Sequence, residues 1–183
     1  MTIYSTAGLH DSIADMVLND PLFQKRPNNL LSIGADSKTV KGEKIGYLTG
    51  ILYGSSANTC SPEWTTCPLA RTAQCDADCL VTAGRGRMSN VHKARVRKTL
   101  EFKQHQQGFM TTLVRNISSL RRKADRRGLT PAVRLCGTWD IQFEKVYFEY
   151  QGKTVTIFDV FPSQQFYDYT KIPGRIVPDN YHL

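Results

Sequence analysis

At 183 residues, 40% of them hydrophobic and 22% charged, the chain is long enough for one folded domain and too apolar to be a disordered polymer. Its formal net charge of +8 is unevenly placed: between Arg85 and Arg127 13 Lys and Arg face only Glu101 and Asp125, a local balance of +11 that leaves the remainder at −3. No run of about 18 apolar residues and no basic, then apolar, leader is present, so neither membrane insertion nor export is predicted and a cytosolic setting is expected.

Asp11-Ser-Ile-Ala-Asp-Met-Val-Leu18 joins capping residues to apolar Ile13, Met16 and Val17 at helical spacing and predicts a short helix. Pro27, Asn28 and Asn29 end that region, Leu30 to Ile33 reads as a brief extended segment, and residues 34–42 are rich in turn formers. The β-branched and aromatic run from Ile45 to Tyr53 predicts the first core strand, closed by Gly54, Ser55 and Ser56. Residues 57–87 hold four Cys, two Pro and two Gly with no sustained period, which predicts a long loop tied down or used by function. Good helix formers fill residues 90–128, with Gly108 as the expected division and Phe109, Met110, Leu113, Ile117 and Leu120 as one buried face. Pro131 to Cys136 predicts a second strand, Val146 to Tyr150 a strand before a Gln151-Gly152 turn, Thr154 to Phe161 a strand or a single helical turn, and Gln165 to Tyr169 a third strand.

A strand, a long helical crossover and a second strand make a βαβ unit. The expected fold is therefore one α/β domain over residues 1–183: a small parallel or mixed sheet with helical crossovers, a partial (β/α) barrel being one form of it, plus the long Cys-rich loop. Its parts are an N-terminal helical segment (1–28), the Cys-rich loop (57–87), the basic helices (89–128) and a strand-rich C-terminal part (129–183). The loops after Tyr53, Cys136 and Tyr169 then fall at the carboxyl ends of the strands, where such sheets place their active groups.

Cys60, Cys67, Cys75 and Cys79, spaced C-x6-C-x7-C-x3-C, supply a full thiolate set for zinc or for an iron–sulfur cluster. The spacing differs from a zinc ribbon's, and disulfides or unrelated buried thiols are the alternatives. The lone Cys136 reads as a small buried side chain. Gly137 and Thr138, followed by Trp139 and Asp140, offer backbone donors, a hydroxyl and a carboxylate after a strand, suited to holding a cofactor or equally to capping a turn. Alternation would set Tyr167, Tyr169 and Lys171 on one face beside Asp168, so Asp140, Tyr167, Asp168 and Lys171 are the candidate catalytic groups. Arg85, Arg87, Lys93, Arg95, Arg97 and Lys98, and farther on Arg121, Arg122 and Lys123, could line a surface for nucleic acid or another polyanion; solvated helix faces are the bland alternative.

Leu31-Ser-Ile-Gly34, Asn58-Thr-Cys-Ser-Pro62 with Cys75 and Cys79, Leu80-Val-Thr-Ala-Gly-Arg-Gly-Arg87, Val133-Arg-Leu-Cys-Gly-Thr-Trp-Asp140 and Phe166-Tyr-Asp-Tyr-Thr-Lys171, taken in order, resemble the phage and plasmid gene product 88 family. That resemblance covers the chain from about Asn29 onward and implies a phage-type protein in the host cytosol. A more remote architectural likeness is to the radical-SAM enzymes, although Cys75-x3-Cys79 departs from their three-cysteine pattern because Thr82 stands where the third Cys would be. Two functions follow as expectations. One is a Cys-ligated metal beside a polar strand-end pocket. The other is a non-enzymatic basic protein that binds nucleic acid or an acidic partner. An exposed sheet edge would further favour self-association.

Overall fold

The computed structural model describes residues 1–34, 37–75, 79 and 84–183. Helix α1 (Asp11–Asn19) forms where predicted, with Ile13 and Val17 one turn apart on its buried face. The chain then passes through a short 3-10 turn at Pro21–Gln24 into β1 (Leu31–Ile33). The expected turn-rich stretch instead holds helix α2 (Ser37–Glu43), which leads into β2 (Tyr47–Leu52). Beyond a 3-10 turn at Gly84–Arg87, α3 (Ser89–Gln104) and α4 (Gln106–Asp125) carry the basic block.

The break between these two helices falls at His105 (φ −138°, ψ 46°) and not at Gly108. Gly108 stays inside α4, where a Cβ would stand 2.6 Å from the tip of the Arg26 side chain. Strand β3 (Thr130–Arg134) follows, then the hairpin β4 (Phe148–Tyr150) and β5 (Lys153–Val155), turning on Gln151 (φ 51°) and Gly152 (φ 77°). Two positive φ values in succession give the tight reversal whose twist suits a hairpin. One helical turn, α5 (Ile157–Val160), is closed by a capping box between Thr156 and Asp159. Strands β6 (Gln165–Tyr167) and β7 (Tyr181–His182) complete the described elements.

The sheet order is β1-β2-β3-β6-β7, with β1 antiparallel and the other neighbours parallel. The crossovers from β2 to β3 and from β3 to β6 are thus parallel as predicted. The sheet is open, with β1 and β7 at its margins, so no closed barrel forms among the described residues.

Helix α4 supplies the main core. Phe109, Met110, Leu113, Ile117, Leu120 and Ala124 are all fully buried at helical spacing and meet Leu48, Leu52, Val133 and Phe166 of the sheet. Each of these larger side chains, Ala124 excepted, contributes about 1.5–3 kcal/mol when removed from water. Gly50 of β2 faces this helix, where a Cβ would lie 3.0 Å from Leu120. Strand alternation therefore turns Thr49, Ile51 and Tyr53 to the opposite face, over which α2 brings Gly42 against Thr49. A second apolar cluster, built from Tyr4, Ile13, Val17, Phe23, Cys60, Val96 and Leu100, packs the N-terminal segment behind α3.

Just past β2, Gly54 lies flat against the Trp139 indole, and Trp139 Nε1 donates to the Leu135 carbonyl at 2.6 Å. Any Cβ at position 54 overlaps that ring. Gly54→Ala is expected to destabilise the protein by about 1–3 kcal/mol through overpacking, read as a lowered urea midpoint with an unchanged slope. A midpoint equal to the parent's would show that the indole can move aside without cost.

Candidate functional site

The loops after β2, β3 and β6 gather on one side of the sheet, as the sequence predicts, and are stitched together by hydrogen bonds. Gly137 N–H donates to the Leu52 carbonyl at 2.9 Å, Thr138 Oγ1 to the Gly54 carbonyl at 2.5 Å, and Asp140 N–H to the Thr66 carbonyl at 2.9 Å. Gly137 is needed for packing, since a Cβ there would strike Tyr53 and Ile51. Gly137 and Thr138 therefore spend these donors on neighbouring strand ends.

The two candidate acids are equally engaged. Asp140, 8% exposed, accepts from Thr170 Oγ1 at 2.8 Å, from Lys171 N–H at 2.9 Å and from Arg175 Nη1 at 3.3 Å. Arg175 also grips Glu144 through two bonds of 3.0 and 2.6 Å, and its side chain is 1% exposed. Asp168, 2% exposed, accepts from the Leu135 and Cys136 N–H groups at 3.1 and 2.7 Å and from the Tyr181 hydroxyl at 2.9 Å. Burial pushes this carboxyl up to about 6 despite those donors. Both carboxylates fasten the segment after β6 to the end of β3. Lys171 contributes its backbone to that join while its side chain is exposed. Tyr167 is half-buried and hydrogen-bonded to Thr49, and the strand ends there, so no alternation carries on to Lys171.

The predicted four-thiolate set is not assembled. All five cysteines are described, none is in a disulfide, and among the described residues no three His, Cys, Asp or Glu side chains gather as metal ligands. Cys60 is sealed inside the second apolar cluster, where burial pushes its thiol up to about 11. Cys67 packs against the main core, and Cys75 Sγ turns to the Ala70 carbonyl at 3.6 Å. Cys79 lies within electrostatic reach of Cys67 and of Arg95. With no three thiols around one point, the likeness to radical-SAM enzymes finds no counterpart here. Cys136 is a buried core thiol, held well above its usual pKa chiefly by desolvation.

The basic block divides. Helix α4 runs back across the sheet for 20 residues, about 30 Å, and carries Arg122 and Lys123 to the opposite, amino-terminal edge. There they are exposed, beside the Arg127–Glu43 pair at 2.6 Å. Arg121 instead lies over the Phe161 ring at 5.7 Å. On α3, several cations are occupied: Lys93 pairs with Asp20 at 2.7 Å, Arg97 Nη1 donates to the Leu22 carbonyl and Lys98 Nζ to the Leu30 carbonyl. Burial, with Arg97 and Arg95 alongside, pushes the Lys98 amine down to about 8. Arg87 is exposed in the turn before α3, and the Arg85 side chain lies outside the described residues.

What remains at the carboxyl edge is a pair of arginine–tyrosine stacks. The Arg95 guanidinium lies 5.4 Å above the Tyr53 ring, and that of Arg134 lies 4.9 Å above the Tyr169 ring. Arg134 sits beside Ile51 in the register of β2 and β3, so its side chain shares the face of Tyr53. Among the described residues the Nε of each arginine is buried without a hydrogen-bond partner; that of Arg134 is 3.6 Å from Asp168 Oδ1, an ion-pair distance beyond hydrogen-bond reach. Sequence reasoning missed Arg134 and Arg175. A charged residue inside the apolar run Ala132-Val-Arg-Leu-Cys136 was the available signal for Arg134.

Removing the Asp168 charge has two expected effects. An Asn there accepts through one oxygen only and orphans a buried donor, costing about 1–3 kcal/mol. Because the folded carboxyl titrates near 6, above its usual 3.8, the native state holds a proton between about pH 4 and 6 that the unfolded chain has released. The stability this gives is complete below pH 4 and lost as pH rises through 6. Asp168→Asn should therefore be less stable than the parent at pH 7 and should lack this fall, as urea denaturation from pH 4 to 7 would show. An unchanged profile would mean that Asp168 is solvated.

Comparison with curated proteins and with solved structures finds no match. The family model described as gene product 88 matches residues 22–183, which span the strands, the crossover helices and all five cysteines. The motifs that resembled this phage-type family thus belong to one continuous match, and the chain is a member of the gene product 88 family.

Proposed function

We propose that this gene product 88 protein binds nucleic acid as a polyanion, at the carboxyl edge of its sheet. The observation that carries the reading is the placement of Arg95 and Arg134 on one face, each stacked on a tyrosine and each with a buried Nε that lacks a hydrogen-bond partner among the described residues. A guanidinium keeps its charge at any working pH and offers paired donors that suit phosphate oxygens. Lys98 adds an amine near Arg95, and its one hydrogen bond to the Leu30 carbonyl leaves further donors. The carboxylates nearby are committed to structural bonds, which favours a binding surface over acid–base chemistry.

Two double variants test this reading. Arg95→Gln with Arg134→Gln should weaken binding to mixed-sequence DNA or RNA and reduce the slope of log affinity against log salt by about 1–2. Arg122→Gln with Lys123→Gln, at the opposite edge, should leave both nearly unchanged. The reverse pattern would move the interface to the end of α4, and no change in either would end the proposal.

A second reading keeps a metal, because Cys67 lies within electrostatic reach of both Cys79 and Asp140. Zinc or an iron–sulfur cluster would require Cys75 or Cys60 to move to complete its ligand set. Anaerobic purification with metal analysis and a visible spectrum decides it: stoichiometric iron or zinc is the expected result of this reading, and a metal-free protein overturns it.

A further inference from the structure

We infer that the nucleic acid seated at this edge is single-stranded, with one of its bases stacking on the open face of Tyr169. This rests on the nucleic-acid reading above and names its substrate class. Tyr169 is 72% exposed although the chain beside it is held down: Asp168 before it is bound to two backbone N–H groups, and Thr170 after it to Asp140. The Arg134 guanidinium covers one face of the ring at 4.9 Å. A large aromatic presented in this way has lost much of its freedom before any ligand arrives, so stacking on it costs little further entropy.

A duplex keeps its base faces turned inward and offers protein only groove edges and phosphates, whereas a single strand can lay a base on an aromatic ring. Every base has a π-face, so such stacking tolerates sequence. The neighbouring stack points the same way. Tyr53 continues β2 and Tyr169 follows β6, with β3 between them, so the two stacks stand about two strand spacings apart, roughly 10 Å. Each of the two aromatic positions carries its own guanidinium, Arg95 at Tyr53 and Arg134 at Tyr169. The aromatic groups also sit at strand ends, not on a protruding helix or ribbon of the kind that enters a groove. An acidic protein partner would satisfy the arginines but would leave the outer face of Tyr169 without a specific role.

Fluorescence anisotropy with the full chain separates these cases, using a labelled oligothymidylate of about 15 nucleotides and a duplex of equal length. The single strand should bind at least about tenfold more tightly. Tyr169→Ala should weaken its binding by roughly 5- to 150-fold, the loss of one base stack, while changing duplex binding less than about twofold. Tyr169→Trp should retain the preference, and thermal melting of both variants should match the parent because the side chain is exposed. Equal affinity for the two forms, or single-strand binding that ignores Tyr169→Ala, overturns the inference. If Arg95→Gln with Arg134→Gln lowers binding of both forms while Tyr169 is indifferent, the polyanion reading survives and the single-strand inference falls; if neither set matters, both fall.

Discussion

Arg175 holds the carboxyl edge of the sheet in place. Its guanidinium, withdrawn from solvent, joins Asp140 and Glu144 from the loop after β3 to the long segment between β6 and β7. Breaking one partner of such a buried set leaves an uncompensated charge and costs about 3–5 kcal/mol. Asp168 works beside it, drawing the end of β6 onto the Leu135 and Cys136 backbone. Between them these groups order Asp168 to Arg175 without regular secondary structure. Tyr169 is carried on that stretch, so its exposed ring is the consequence of a rigid mount, not of a loose loop.

The same network engages the carboxylates at the strand ends. A general base must reach a substrate proton, and Asp140 and Asp168 each already accept hydrogen bonds from three donors of their own chain. The charge left over at this edge is positive. It comes from Arg95 and Lys98 on α3 and from Arg134 on β3, residues separated in sequence and joined only by the crossover. Helix length decides this division: α4 carries the rest of the basic block about 30 Å away, to the other edge.

How much of this could be read in the sequence depends on the range of the interaction. The buried stripe of α4, strand β2, the Gln151-Gly152 hairpin and the parallel pairing of β2 with β3 were all legible, because each follows from local period or turn chemistry. Helix α2, the antiparallel placement of β1 and the two-residue β7 were not, since short elements take their form from neighbours distant in sequence. Gly108 misled for a related reason: it stands against the tip of the Arg26 side chain, from about eighty residues earlier, and nothing adjacent to it says so. The cysteines part company despite their proximity in the chain. Cys60 and Cys67 are seven residues apart, yet one joins the cluster behind α3 and the other the main core. Gly137, Thr138, Asp140 and Asp168 were located on the correct side, and their part as fasteners depended on Arg175 and on the Leu52 and Gly54 carbonyls, none of which the spacing reveals.

The buried Nε atoms of Arg95 and Arg134 bear on what that edge is for. A buried donor without a partner costs about 1–3 kcal/mol, and native structures keep few of them. Among the described residues Arg95 and Arg134 both have such an Nε on one face, close to two aromatic rings, that of Arg134 offset in part by its ion pair with Asp168. Arg97, which shares the defect, has a carbonyl to grip and a structural reason to stay. For Arg95 and Arg134 the described residues supply ring stacking, and for Arg134 an ion pair at 3.6 Å, but no hydrogen-bond acceptor for either Nε. An anionic ligand at the edge would supply one, and binding would then recover part of the stability that the empty edge gives up.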